Sequence, residues 1–435
     1  MKSGKSRKHP LLRRVLLITA ICLAAILMVP FLMIGAVALF LGEPPQTPGP
    51  EPLHLRLSWV GDPHTTMVVA WDTMPGISGY DPQVEYGTAA GNLDREAAGD
   101  TRDYPGSSID IHVVELEDLE PGTRYYYRCG NLEHGWSNEH SFVTPSLKGP
   151  FTFAAMGDSR DPYNIAGCPF YESWDNREFK VWNRACASLA GDNFDFAINT
   201  GDFVYHYRKE RPWNKWFDAV ELFSPRVAFM SAHGNHEHYC EAYLNRFIFP
   251  GDGLTYSFRV GNTAFICLDT GFNDDQQYEL VRSQSDWLAG ELARAADDCD
   301  WTVVFLHRPP YASAVHYNQE DLIEVWVPLF DEYGVDLVIG GHVHYYERSY
   351  PMKGGSVTDT STDFYAFPDG TIYLTSGGTG APLATPKPVQ WAAVQEETYN
   401  YCLVDVLPDR TLRVTSKGFE TGEIIDSFTI TKGQP

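Results

Sequence analysis

Apolar and polar positions alternate along this chain in two textures. Up to about Pro145 the apolar runs are short, rich in β-branched and aromatic residues, and broken by turn residues. They fall at Leu53–Val60, Thr66–Trp71, Gln83–Tyr86, Ile109–Leu116, Thr123–Cys129 and His140–Val143. Strands of this length at this spacing predict a small all-β sandwich over residues 53–146. From Phe151 the pattern changes to continuous apolar runs at Phe151–Met156, Phe194–Asn199, Ala228–Ser231, Thr263–Leu268, Trp301–Leu306, Val335–Ile339 and Thr371–Ser376. Amphipathic stretches near Asp175–Ala190, Trp213–Phe223, Ser283–Ala296 and Asp321–Tyr333 separate them. Such alternation predicts an α/β domain over residues 150–435. Chemistry in such a domain belongs on the loops beyond the strand carboxyl ends.

The first fifty residues follow neither pattern. Six cations and no acid occupy residues 1–14, and Val15–Leu41 carries no charge at all. A helix of that length crosses the ~30 Å hydrocarbon layer, and cations on its leading side put the N-terminus in the cytoplasm. The expectation is a basic tail (1–14), a transmembrane signal-anchor helix (15–41) and a proline-rich linker (42–52). The alternative is a signal peptide cleaved near Ala36-Val37-Ala38, although this apolar run exceeds the usual ~7–15 residues. Both readings export the rest of the chain, as a membrane-anchored or a secreted extracytoplasmic protein.

A formal charge of -24, reached despite the cationic tail, argues against nucleic acid or anionic lipid as a partner of the exported part. A phosphate-binding pocket here needs a local source of positive charge, and bound metal is one. Seven of the eight cysteines lie beyond the apolar segment without any C-x-x-C spacing, which leaves no zinc ribbon. Export permits some of them to pair.

The candidate chemistry sits where the strand pattern places it. Val335–Ile339 runs into Gly340-Gly341-His342-Val343-His344, and residues i and i+2 of extended chain project to one side. Four other apolar runs end comparably, in Gly157-Asp158-Ser159-Arg160, Gly201-Asp202-Phe203-Val204-Tyr205, Gly234-Asn235-His236-Glu237 and His307-Arg308-Pro309-Pro310-Tyr311. Together they offer Asp158, Asp202, Tyr205, Asn235, His307, His342 and His344. Seven oxygen and nitrogen donors without a thiolate exceed one tetrahedral zinc and suit two ions of higher coordination. A shared carboxylate fits the ~3.5–4 Å separation of two-metal hydrolytic sites.

Gly157-Asp158, Gly201-Asp202-Phe203-Val204-Tyr205, Gly234-Asn235-His236-Glu237, Val304-Phe305-Leu306-His307 and Gly341-His342-Val343-His344 resemble the five signature blocks of purple acid phosphatases, in the calcineurin-like metallophosphoesterase superfamily. The resemblance spans roughly Leu53 to Ile430 and includes a fibronectin type III-like domain, whose late strands Leu119-Glu120-Pro121-Gly122-Thr123-Arg124-Tyr125-Tyr126-Tyr127 resembles. It implies a four-layer α/β/β/α sandwich and a binuclear centre. Asp158, Tyr205 and His344 would bind Fe(III), and Asn235, His307 and His342 a divalent Fe, Zn or Mn, with Asp202 bridging. Phenol, with a pKa of ~10, binds as phenolate in acid only to a strongly Lewis-acidic ion. The resemblance further implies a metal-bound hydroxide as nucleophile and His236 and His316 in phosphate binding and general-acid work. Glu347 and Arg348, next to the last block, read either as supporting partners of the ligands or as an exposed ion pair.

The expected protein is thus an acid phosphatase acting on phosphate monoesters. The alternative is a phosphodiesterase or nucleotide phosphohydrolase using the same centre. A binding protein that kept the fold without the chemistry would be expected to have lost ligands, and all seven are present. Two positions depart from the family pattern. Arg160 stands where many members have glycine, which points to phosphate contact or restricted access, and Tyr317 stands where some plant relatives have a second histidine.

Overall fold

The computed structural model describes residues 51–433 apart from 78, 103, 105–106, 161–178, 273 and 315–318. The predicted tail and membrane segment, most of the linker, His316 and Tyr317 lie outside the described residues. No described helix is long and apolar enough to cross a membrane.

Two sheets carry the catalytic region, and their alternation sets the layers. In one, Phe151–Met156, Phe196–Asn199 and Ala228–Ser231 run parallel. In the other, Thr263–Leu268, Trp301–Leu306, Leu337–Gly340 and Ile372–Ser376 do the same. Phe265 points inward and meets Phe153 and Phe196 of the facing sheet, each at 5.2 Å. Its neighbour Ile266, with Val304 and Val338, points outward into a cluster with Val281, Leu322 and Phe330. Those three come from the helices Asp274–Asp298, Glu320–Val325 and Val327–Tyr333. Behind the first sheet, Phe229 packs on Trp216 of helix Glu210–Val220, which stacks on Trp182 of helix Lys180–Ala190. Helices therefore cover both outer faces, and strands buried on both sides read as unbroken apolar runs.

Two predicted features change. The single helix expected over Asp321–Tyr333 is two helices meeting at Trp326, because Pro328 has no N–H to continue the first and begins the second. The strands Asn400–Leu407, Thr411–Gly418 and Glu423–Thr431, absent from the predicted set, form an antiparallel meander that extends the first sheet from Phe151–Met156. Their polar outward positions make them alternate, unlike the runs used to find the other strands.

The N-terminal β region packs a five-strand sheet against strands that belong to the catalytic sheet. Leu53–Ser58 pairs in parallel with Ala228–Ser231 through Leu57 and Ala228, giving one sheet of eleven strands. The Tyr125 hydroxyl accepts the Glu120 N–H at 2.9 Å, the tyrosine corner of Greek-key sandwiches. His112 lies buried between Thr73 and Thr101, 2.8 Å from each hydroxyl, and burial pushes its pKa down to about 4. It is a sandwich residue. The junction with the catalytic region is a buried ionic cluster in which Asp72 meets His54 (2.8 Å), Arg56 (3.0 Å) and Arg246 (3.6 Å). Arg246 also pairs with Glu210, at the start of the helix that follows the Asp202–Tyr205 loop. Charges buried this deeply persist only when paired.

Among the described residues there is no disulfide: Cys129, Cys186, Cys240, Cys267, Cys299 and Cys402 are free thiols.

Candidate metal centre

Strand register brings the loops to one place. Met156 pairs with Asn199 and Asn199 with Ser231, so the chain leaves these three strands at one edge. Phe305 pairs with Ile339, which sets His307 level with Gly341 across the second sheet. Backbone bonds tie the loops: Asp158 N–H donates to Gly201 O, Arg160 N–H to Asp202 O (both 3.0 Å) and Gly341 N–H to His307 O (2.8 Å).

Asp158, Asp202 and His342 all have positive φ, 58°, 59° and 67°. Side chains other than glycine pay for that conformation, and such residues gather at functional sites. The close approach also demands glycine: a Cβ on Gly341 would lie 2.4 Å from Asp158 Oδ2, and one on Gly234 would lie 2.2 Å from Asp202 N.

The donors form two groups. In the first, Asn235 Oδ1 is 2.8 Å from His307 Nε2 and 2.8 Å from His342 Nδ1, which are 3.2 Å apart. Asp202 Oδ1 stands 3.3 Å from His307 Nε2. His307 Nδ1 lies 2.7 Å from the Thr200 carbonyl, an acceptor, so its N–H is there and a lone pair occupies Nε2. Lone pairs of His307, Asn235 and Asp202 therefore converge, which is unfavourable unless a cation lies among them. In the second group, donor atoms of Asp158, Asp202 and His344 fall within 4.8 Å of one another. Asp158 Oδ1 is buried without a hydrogen bond. His344 Nδ1 donates to Pro382 O at 2.8 Å, which turns the Nε2 lone pair inward, 3.6 Å from Asp158 Oδ1. Asp202 belongs to both groups. This donor set fits two metal ions.

The electrostatics agree. Burial pushes His307 down to about 4 and, with Arg160's charge, His344 to about 3; His342 falls well below the usual imidazole value. All three are neutral, the form that binds metal. Burial opposes charge on Asp202 too, but His307 and His236, protonated in the acid range where a carboxyl titrates, together with Arg160 outweigh it and hold that carboxyl low. Asp158 is pushed up by burial and by Asp202's charge, a penalty that bound cations would remove.

Tyr205 lies beside these groups, its ring 4.9 Å from that of His236 and 5.5 Å beneath the Arg160 guanidinium carbon. His236 is outside the ligand cluster. Its backbone N–H donates to Asp202 Oδ1 (3.0 Å), its ring Nε2 is 3.8 Å from Asp202 Oδ2, and its side chain is 23% exposed.

Glu347 and Arg348 are both buried, so they are not an exposed ion pair, and they take different parts. Glu347 is buried and holds Ser313 N–H (3.0 Å), Ser313 Oγ and Gln395 Nε2 (2.7 Å), thereby bracing the loop after His307. Arg348 points away into a buried pair with Asp426 and packs over Phe428. Glu237 takes the bracing part that the sequence left unassigned. It is fully buried and accepts N–H bonds from Asp202 (3.0 Å), Phe203 (2.9 Å) and Gly234 (2.8 Å). The only clue in the sequence was a carboxylate beside the Asn235-His236 pair.

This fold and site define a calcineurin-like phosphoesterase. A family model of that description matches residues 151–346, and one for the purple acid phosphatase N-terminal domain matches residues 52–144. An uncharacterized protein of Mycobacterium tuberculosis is 31% identical over 391 residues, covering 77% of this chain and 70% of its own. Mouse acid phosphatase type 7 is 29% identical over 423 residues, covering 88% of this chain and 91% of its own. The structure of a purple acid phosphatase from yellow lupin seeds superposes with a TM-score of 0.74 at 22% identity, covering 88% of this chain and 75% of that one. The chain belongs to the purple acid phosphatase family of binuclear metallohydrolases. Its β region is accordingly that family's N-terminal domain.

Proposed function

We propose that the protein hydrolyses phosphate monoesters at a centre of Fe(III) and a divalent Fe, Zn or Mn. Asp158, Tyr205 and His344 would hold the first ion, Asn235, His307 and His342 the second, and Asp202 would be shared between them. The observation that carries this reading is the convergence of acceptor atoms from Asp202, Asn235 and His307 on one point, with Asp202 also reaching the Asp158–His344 group. The ions, when bound, supply Lewis acidity that activates water and neutralises phosphoryl charge.

The chain's own residues do the rest. Thr200 and Pro382 carbonyls fix the tautomers of His307 and His344. Glu237 holds the Asp202 and Asn235 loops together. His236, at the partly open edge, delivers a proton to the leaving alkoxide, and His316, outside the described residues, shares that duty. Export and retention through residues 15–41 complete the reading, on the strength of the cation-flanked apolar run.

Elemental analysis with a visible absorption spectrum tests the centre. Two ions per chain, iron among them, and a tyrosinate-to-iron band that disappears in Tyr205→Phe are expected. Iron-free, colourless and fully active protein would refute it. Membrane fractionation of the full chain tests the anchor.

A further inference from the structure

Arg160 follows Asp158 by two residues and has no place in the ligand set. Its backbone is fixed by its N–H bond to Asp202 O. Its Nε stands 3.3 Å from Asp202 Oδ2 and its Nη2 3.3 Å from His344 Nε2, with the guanidinium carbon 5.5 Å over the Tyr205 ring. The side chain is 12% exposed, so the group is close to solvent yet held among three proposed ligands.

One of these contacts conflicts with metal binding. The His344 Nε2 lone pair that Arg160 uses is the one a bound cation takes. Loading the centre therefore turns that N–H away from His344 and leaves a guanidinium beside a cationic pair. That crowding of positive charge is relieved by an anion placed among them, and a guanidinium fork matches two oxygens of a phosphoryl group. A monoester offers three terminal oxygens and two negative charges, whereas a diester offers two and one. The added cation favours the former.

We propose that Arg160 binds the phosphoryl group of the substrate and selects dianionic monoesters over diesters. The inference rests on the phosphatase reading above and narrows it. A residue that merely braced Asp202 would behave differently, because its removal would loosen the metal. Removal of a phosphate-binding cation leaves metal retention equal or better, since a repelling charge has gone, and weakens phosphate.

The test uses the full chain with its metals in three forms: wild type, Arg160→Ala and Arg160→Lys. Three measurements are made on each. They are inorganic phosphate affinity by titration calorimetry, metal retention against a chelator, and kcat/KM for p-nitrophenyl phosphate and for its bis ester. In Arg160→Ala, phosphate affinity and monoester kcat/KM fall about 10- to 100-fold. Diester kcat/KM changes by less than about threefold, in keeping with fewer oxygens left for the fork. Metal is held at least as tightly, and Arg160→Lys recovers part of the loss. Unchanged phosphate affinity, equal loss on both esters, or loss of metal in Arg160→Ala would overturn the assignment of Arg160 alone, provided the wild type is loaded and active. Wild-type protein that takes up no metal and binds no phosphate would overturn the phosphatase reading and this one with it.

Discussion

Glu237→Gln isolates the bracing of the centre from the ligands themselves. The wild-type carboxylate is fully buried and serves three backbone donors, with Oε2 taking Asp202 and Gly234 and Oε1 taking Phe203. Glutamine keeps the shape but has one acceptor oxygen. In its cheaper orientation that oxygen serves Asp202 and Gly234, and the amide NH2 faces the Phe203 N–H. A stranded buried donor costs about 1–3 kcal/mol, and the amide hydrogens add a similar amount. Burial and the charge of Asp202 push the Glu237 pKa up to about 8. The neutral acid is thus easier to reach in the metal-free protein, and because glutamine resembles it the substitution costs less there than in the loaded state. Bound cations favour the carboxylate, so the full cost falls on the loaded state. By linkage it emerges as weaker metal binding, in the 10- to 100-fold range typical of residues that orient ligands. Chelator competition on the loaded protein, beside denaturant unfolding of the metal-free protein at pH 6, reads both effects. Metal dissociation constants within twofold of wild type would refute the reasoning.

Three further outcomes are expected. Gly341→Ala places a Cβ 2.4 Å from Asp158 Oδ2 and 2.5 Å from Thr200 Oγ1; an overpacking cost of about 1–3 kcal/mol and loss of bound metal should appear in thermal melts and elemental analysis. His236→Ala should lower turnover while both ions stay bound, and ions departing with that imidazole would make it a ligand. Asp72→Asn leaves Arg56 and Arg246 without their buried anion, at a cost of about 3–5 kcal/mol. Burial works against the Asp72 charge, but Arg56, His54 and Arg246 more than offset it and hold the carboxyl below its usual range. Its contribution is therefore present above the ordinary carboxylate pKa of ~3.9 and lost as pH falls through the lower folded value. Against the opposing effect of burial, Asp72 also helps raise the His54 pKa above its usual value. That stability is present below ~6.5 and lost as pH rises through the folded value. The gap in unfolding free energy between wild type and variant should therefore be widest at about pH 5 and narrow above neutrality. A gap that vanishes already at pH 5 would contradict the pairing.

The candidate donor residues, their order and their positions after apolar runs were legible without coordinates, because a strand buried on both faces writes itself as an unbroken apolar stretch and its loop begins where that stretch ends. Asp158, Asp202, Asn235, His307 and His342 were all found this way. The meander from Asn400 to Thr431 escaped for the complementary reason: one face of each strand is polar, so no continuous run marks it. Tertiary structure alone decided that Asp202 belongs to two donor groups, that Glu237 ties their loops together, that Arg348 turns to Asp426 instead, and that Leu53–Ser58 joins the catalytic sheet. Each of these depends on which atoms meet across more than thirty residues of chain. Sheet register and the packing of one layer on another determine that, and no local pattern of side chains encodes it.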